Sequence, residues 1–227
     1  MTAGDAARSV IGKAPCMAMP LHEHETFWAR CFALVYDPFL SLAERRGMRE
    51  QRRALLRDAR GRVLEIGAGT GLNVQHYPAD LAELILTEPD ASMRRRLVRR
   101  ADGRATVVTA AADALPVDDA SLDTVVSTFV LCTVESPEAA LREIRRVLRP
   151  DGQLLLIEHV RSDVRWRAFL QRVLRKPWSS FARGCRCDQP TAELLRVAGF
   201  RTELRSAQWR AMPPVVRSVV VGRAFSG

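Results

Sequence analysis

The stretch Val63-Leu64-Glu65-Ile66-Gly67-Ala68-Gly69-Thr70-Gly71 constrains this chain more than any other. Val63, Leu64 and Ile66, with the acidic Glu65 among them, read as a short buried strand. Gly67, Gly69 and Gly71 follow at alternate positions, and Leu72-Asn73-Val74-Gln75-His76-Tyr77 can open a helix. A strand, a glycine turn and a helix start make a nucleotide-binding corner. Glycine takes positive φ without penalty and lets a ligand approach the backbone. The helix start would add unpaired N–H groups and partial positive charge.

What is absent narrows the nucleotide. A phosphate-binding loop needs Gly-Lys-Ser/Thr at its end, but the only lysines are Lys13 and Lys176. A dinucleotide fingerprint starting at Gly67 would need glycine where Leu72 stands. The pattern present is Glu-x-Gly-x-Gly-x-Gly.

Downstream, strands and helices alternate. Leu84-Ile85-Leu86-Thr87 reads as a second buried strand ending in Glu88-Pro89-Asp90. Glu88 lies about twenty residues past the glycine turn, where a Rossmann-type fold places a carboxylate on ribose hydroxyls. The alternative is a surface glutamate in a turn. Ser92 to Arg100 reads as an amphipathic helix, Met93, Leu97 and Val98 inward and its arginines solvated. Thr106 to Thr109 is a third strand, followed by Ala112-Asp113-Ala114-Leu115-Pro116. Ser121 to Ser127 is a fourth strand, continued by Thr128 to Val134 toward the carboxyl edge, where open α/β sheets bind ligands. Ser136-Pro137 starts a helix with Leu141, Ile144, Val147 and Leu148 inward, stopping at Pro150-Asp151-Gly152. Gln153 to Val160 is a fifth strand carrying Glu158-His159 near its end.

Two further segments flank this core. Residues 25–59 look helical, with an apolar face of Phe27, Trp28, Cys31, Phe32, Leu34 and Val35 that Asp37-Pro38 interrupts. Residues 161–190 hold a helix with Trp166, Phe169, Leu170, Val173 and Leu174 at helical spacing and Arg165, Arg167, Arg172 and Arg175 opposite. This basic helix, 165–176, is either a cap over the site or a contact with a membrane surface or another chain. Thr191 to Ala198 forms a helix ended by Gly199, and Phe200–Trp209 with Val215–Val221 closes the chain as a strand pair.

Composition bounds the rest. At 227 residues with 47% apolar and 27% charged content, one globular domain over 25–227 with a mobile tail at 1–24 is expected. No apolar run approaches a membrane span, and residues 1–25 are too polar for a signal peptide, which implies a cytoplasmic protein. Cys16, Cys31, Cys132, Cys185 and Cys187 are scattered and odd in number, so no disulfide framework follows. His22-Glu23-His24 lacks further ligands, and no metal is expected. The net charge of +9 is spread over many segments without a basic-aromatic stripe, so it reads as solvated surface and nucleic acid is not the expected partner. Nothing in the sequence sets the oligomeric state.

Together, Glu65-x-Gly67-x-Gly69-x-Gly71, Glu88, Asp113-Ala114 and the Val147-Leu148-Arg149-Pro150-Asp151-Gly152 turn resemble the class I S-adenosylmethionine (SAM)-dependent methyltransferases. Asp151 replaces one glycine of that family's turn. The resemblance implies an α/β, Rossmann-like seven-stranded sheet, mostly parallel with the last strand reversed, with an N-terminal helical lid. Gly69-Thr70-Gly71-x-Asn73, Val130-Leu131-Cys132-x-Val134, Glu158-His159-Val160, Gly184-Cys185 and Val221-Gly222-Arg223-Ala224 are similar to one subgroup, the small-thiol S-methyltransferases of animals and their bacterial relatives. Its animal members carry a hydrophobic N-terminal anchor that residues 1–25 do not match, so membrane residence is not carried over.

The resemblance implies SAM as methyl donor and a small molecule, most naturally a thiol, as acceptor. A thiol must ionise to be a nucleophile, from a free pKa near ~8.5. Glu65, Gly67, Gly69, Gly71 and Asn73 would hold the methionine part of SAM. Glu88 and Pro89 would lie at the ribose, Asp113 and Ala114 at the adenine, and Ser127 at the edge of strand four. Tyr36 is either a lid residue over the cofactor or a core aromatic. His159 is the candidate for acceptor positioning or proton removal, or else it only hydrogen-bonds within the site. An amine, hydroxyl, carbon or phospholipid acceptor, and a non-catalytic SAM- or nucleic-acid-binding module, are the competing readings.

Overall fold

The computed structural model describes residues 27–226. The expected tail at 1–24 and the His22-Glu23-His24 run lie outside them. Seven strands, β1 (Arg62–Ile66), β2 (Glu83–Thr87), β3 (Thr106–Val108), β4 (Leu122–Thr128), β5 (Leu148–His159), β6 (Phe200–Gln208) and β7 (Ser218–Ser226), form one sheet in the order β3-β2-β1-β4-β5-β7-β6. β1 to β5 pair in parallel, and β7 runs antiparallel to both β5 and β6. The sheet is the expected one, with only β7 reversed.

Alternation along the strands builds two cores. On one face Val63, Val126, Leu155, Ile157 and Val221 meet Leu40 of α1 (Phe27–Ala43), Leu55 and Leu56 of α2 (Arg49–Leu56) and Leu97 of α3 (Ala91–Ala101). Leu170 and Trp178 of α5 (Arg165–Phe181) pack on that same face. On the other face Leu64, Ile66, Val125, Leu154 and Leu156 meet Leu141 and Ile144 of α4 (Pro137–Val147) and Leu195 of α6 (Thr191–Val197). Leu154 to Ile157 are buried on both faces, which is why β5 reads as a continuous apolar run.

Several local expectations are corrected. No α-helix follows the glycine corner: Val74–His76 is a single 3-10 turn, and Tyr77 is extended. Pro78 next in sequence favours that extended conformation and stops the helix. The helix-terminus charge expected there is therefore not part of the site. Pro38 does not break α1. The chain bends instead at Glu44–Met48, where Gly47 takes φ +124°. Leu40 and Ala43 face inward on α1, while Leu34, Phe39 and Leu42 are exposed. β4 ends at Thr128 rather than running to Val134, because Glu158 gathers the next backbone amides into a turn. Strand β7 starts at Ser218, after a 3-10 turn at Pro214–Val216. Val98 is exposed on α3, and Arg94, Arg96 and Arg100, expected in solvent, hold the cofactor-side loops, as described below.

Candidate active site

The glycine corner leaves the carboxyl end of β1 with Gly67, Gly69 and Gly71 at φ +53°, +59° and +84°. A Cβ on Gly67 would stand 2.8 Å from Val130 Cγ2, and one on Gly71 2.9 Å from Leu97 Cδ1. Those two glycines are required by packing. A Cβ on Gly69 would meet nothing within 4 Å, so that flank of the loop lies open.

Glu65 is buried beneath the loop. Asn73 Nδ2 donates to its Oε1 at 2.7 Å and the Tyr77 hydroxyl to its Oε2 at 2.8 Å. Burial lifts the Glu65 carboxyl to about 7, against the lowering influence of Tyr77, Asn73 and the nearby Arg52. Asn73 also donates to Thr128 Oγ1 at 3.0 Å and accepts from Arg52 Nη1 at 3.0 Å. Arg52, buried on α2, turns its Nε to Glu44 Oε1 at 3.1 Å. A chain of polar contacts thus runs from the helical segment through Asn73 to Glu65.

Glu88 follows β2 and reaches the same loop. Its Oε2 accepts from the Gly69 amide at 2.8 Å and its Oε1 from the Asp90 amide at 2.9 Å. Burial raises its carboxyl above the usual range, with those two amides opposing. A carboxylate has about four lone-pair sites, so two remain for a diol. Pro89 and Asp90 complete the turn, the Pro89 carbonyl accepting from Arg94 and Asp90 capping α3 by accepting from the Met93 amide at 2.9 Å. Arg183, from the segment after β5, pairs with Asp90 at 2.7 Å and ties that segment to the corner.

Tyr36 lines one cleft with Arg52, Glu65, Gly67, Ala68, Gly69, Thr70, Leu72, Asn73 and Thr128. Burial pushes its phenol up to about 12, the Arg52 charge opposing. Its neighbour Asp37 accepts from Thr70 Oγ1 at 2.6 Å and from Arg100 at 2.8 Å, with Arg96 at 3.9 Å. The cleft is narrow as it stands, with a cavity of only ≈ 20 Å³, far under the ~300–1,000 Å³ of most small-molecule pockets. α1 and α2 close one side of it.

Asp113 and Ala114 stand exposed in the loop after β3, and among the described residues no hydrogen bond or ion pair engages the Asp113 carboxylate. Ser127 lies elsewhere. Register puts it on the sheet face opposite Glu65, where its hydroxyl donates to Glu158 Oε1 at 2.6 Å. It is Thr128, next in sequence, that the pleat turns into the cleft. Glu158 also accepts from the Val130, Leu131 and Cys132 amides and serves as an internal clamp.

His159, one residue on, shares the face of Thr128. Its ring lies 4.6 Å from that of Phe129 and 5.6 Å from that of Trp209, and Phe129 stacks on Trp209 at 4.5 Å. Burial drives the imidazole down to about 3, with the nearby Val216 backbone opposing. An imidazole held that low is a poor acceptor for the proton of a thiol near ~8.5. A neutral imidazole there is suited to hydrogen bonding more than to taking a proton.

A methyltransferase-domain family model matches residues 64–156, the span from β1 to β5. The human thiol S-methyltransferase TMT1B is 35% identical over 181 residues, covering 76% of this chain and 72% of that protein. The human thiol S-methyltransferase TMT1A is 34% identical over 170 residues, covering 71% and 69%. A solved SAM-dependent methyltransferase from Thermotoga maritima, 23% identical, superposes with a TM-score of 0.66 over 88% of this chain and 98% of its own. This chain belongs to the class I SAM-dependent methyltransferases.

SAM is therefore the methyl donor of this methyltransferase, and the polar groups around its cleft fit that molecule. Glu65 lines the cleft, Glu88 holds the Gly69 amide at its edge, the Gly69 flank is open and no lysine is present, which fits a cationic, diol-bearing nucleoside better than a polyphosphate. Arg52, Tyr77, Phe129 and Trp209 were not singled out for the site in the sequence. Arg52 sits in an Arg-Glu-Gln-Arg-Arg run that reads as solvated, and Phe129 falls within an apparent strand. The α5 reading also changes. Leu170, Gln171 and Trp178 are turned to the protein, while Trp166, Phe169 and Val173 are exposed beside Arg165 and Arg172. Among the described residues no helix is long and apolar enough to cross a membrane.

Proposed function

We propose that this methyltransferase moves the methyl group of SAM onto the sulfur of a small thiol. The likeness to human thiol S-methyltransferases over more than two thirds of their length carries this reading. SAM, when bound, supplies a methyl on a sulfonium, which needs no metal for transfer. The chain has to hold donor and acceptor in line and shut out water. Glu65, Gly67, Gly69, Gly71 and Asn73 would hold the methionine part, Glu88 with Pro89 the ribose, and Asp113 with Ala114 the adenine. Residues 25–59 would be a lid, with Tyr36 over the cleft and Asp37 latched to Thr70 and Arg100. Residues 161–190 would be a cap, pinned by Gln171 and by the Arg183–Asp90 pair. His159 would position the acceptor. The thiol would ionise beside the cationic donor and Arg52 without a protein base.

The test is product identification. Purified protein, SAM and a panel of a small thiol, a phenol, an amine and phosphatidylethanolamine vesicles would be followed by mass spectrometry. Methyl sulfide formed in step with S-adenosylhomocysteine is the expected result. Turnover confined to the phenol, amine or lipid would overturn thiol methylation and leave the enzyme class standing.

One observation favours a membrane surface as the source of the acceptor. Trp166, Phe169, Val173 and Phe181 are exposed on α5, and Arg161, Arg165, Arg172 and Arg175 line a groove beside Phe169. An amphipathic helix with a basic rim suits an anionic lipid interface. Phosphatidylglycerol vesicles should co-sediment with the protein at low salt, and the Trp166→Ser, Phe169→Ser double variant should lose that binding. Equal recovery of both proteins in the supernatant would end this reading.

A further inference from the structure

Three aromatic rings meet where the cofactor cleft turns toward β5. Phe129 directly follows Thr128, a cleft-lining residue, and is itself half-buried. The Arg52 guanidinium lies 5.5 Å from the Phe129 ring centre, so the residue that braces Asn73 also braces this ring. Phe129 takes φ +61°, a left-handed conformation that a bulky residue rarely adopts. Its amide is held to the Ile157 carbonyl at 2.8 Å. Strain of this kind gathers where a side chain must be presented at one angle.

Behind Phe129 stand Trp209 and His159, at 3% and 5% exposure. Trp209 Nε1 and His159 Nδ1 are both buried without a hydrogen-bond partner. Buried polar groups in native proteins are nearly always satisfied, so two neighbouring orphans call for a ligand. With no partner at Nδ1, the neutral imidazole can carry its one proton there and donate. The indole N–H is a donor only. A thiolate sulfur accepts from such donors.

We infer that Phe129, Trp209 and His159 form the acceptor wall and select a flat aromatic thiol over an aliphatic one of similar size. This rests on the thiol reading above and adds the acceptor's class and the residues that choose it. Stacked rings favour a planar partner. The chemistry agrees with the shape. An aryl ring delocalises the sulfur charge, so an aryl thiol has released its proton to solvent before it binds and needs no protein base. The thiolate lone pair then forms the new S–CH3 bond. The electron pair of the old methyl–sulfonium bond returns to the departing sulfur, which leaves as a neutral thioether.

Steady-state kinetics with thiophenol and with cyclohexanethiol would test this at saturating SAM. The wild-type protein should use thiophenol with a kcat/KM at least about tenfold higher, and Trp209→Leu should shrink that ratio about tenfold, mainly through KM. Calorimetric SAM affinity should stay within about twofold in the variant, which separates wall from cleft. Should Trp209→Leu fail to fold, Phe129→Leu gives the same readout. Equal use of the two thiols by the wild-type protein, or variants that slow both equally, would overturn the aromatic selection while leaving thiol methylation intact. Failure to methylate either thiol, with SAM bound, would overturn both.

Discussion

Glu65 and Arg52 are two buried charges that carry much of the site. Glu65 is 1% exposed, and burial moves its carboxyl from 4.5 to about 7. The folded chain therefore keeps a proton across that window that the unfolded chain has given up. Stability falls as pH rises from about 4.5 to about 7, by about 3 kcal/mol, and is level above it. Glu65→Gln should remove that loss. It should unfold at higher urea than the wild-type protein at pH 8, match it near pH 4, and bind SAM at least about tenfold more weakly at pH 8. Denaturation and calorimetry at the two pH values check both halves. Arg52 is the opposite case. Arg52→Ala strands Glu44 and the Asn73 carbonyl oxygen in the core. Chemical denaturation should show a loss of about 3–5 kcal/mol, the usual result of removing one partner from a buried pair.

Among the elements, α5 is fastened most specifically. Gln171, fully buried, accepts from the Ser162 amide at 2.8 Å. It donates toward the carbonyls of Val160, Cys187 and Val215 at 3.0, 2.7 and 3.1 Å. One side chain thus joins the end of β5, the loop after α5 and the turn before β7. Gln171→Leu should cost about 1–3 kcal/mol, since these backbone groups are left unpaired. Hydrogen exchange should rise across residues 161–190 while β1 and β4 keep their protection. Uniform exchange throughout the chain would show that α5 is not a separately held cap. Sequence periodicity found this helix but not its orientation. Its apolar positions outnumber those the sheet can cover, and the inward face is set by a polar glutamine.

For the whole molecule, the sheet was legible because each strand carries its own signal: an apolar run, a glycine corner, an acidic end. Glu65, Glu88 and the three glycines could be named because they sit at fixed offsets from those strands. The contacts that complete the site join distant positions. Asp37 meets Arg100, Arg52 meets Asn73, and Phe129 meets Trp209. None of these pairs leaves a local pattern. Ser127 shows the same limit at the level of one residue, since the pleat alone decides whether Ser127 or Thr128 enters the cleft.

The most direct measurement follows the methyl group itself. SAM labelled with deuterium on its methyl would be incubated with the protein and a thiol, and the products resolved by mass spectrometry. The account predicts a methyl sulfide carrying all three deuterons, formed in equal amount to S-adenosylhomocysteine and lost in Glu88→Ala. Label remaining in SAM, or appearing only on an oxygen, nitrogen or carbon acceptor, would contradict it.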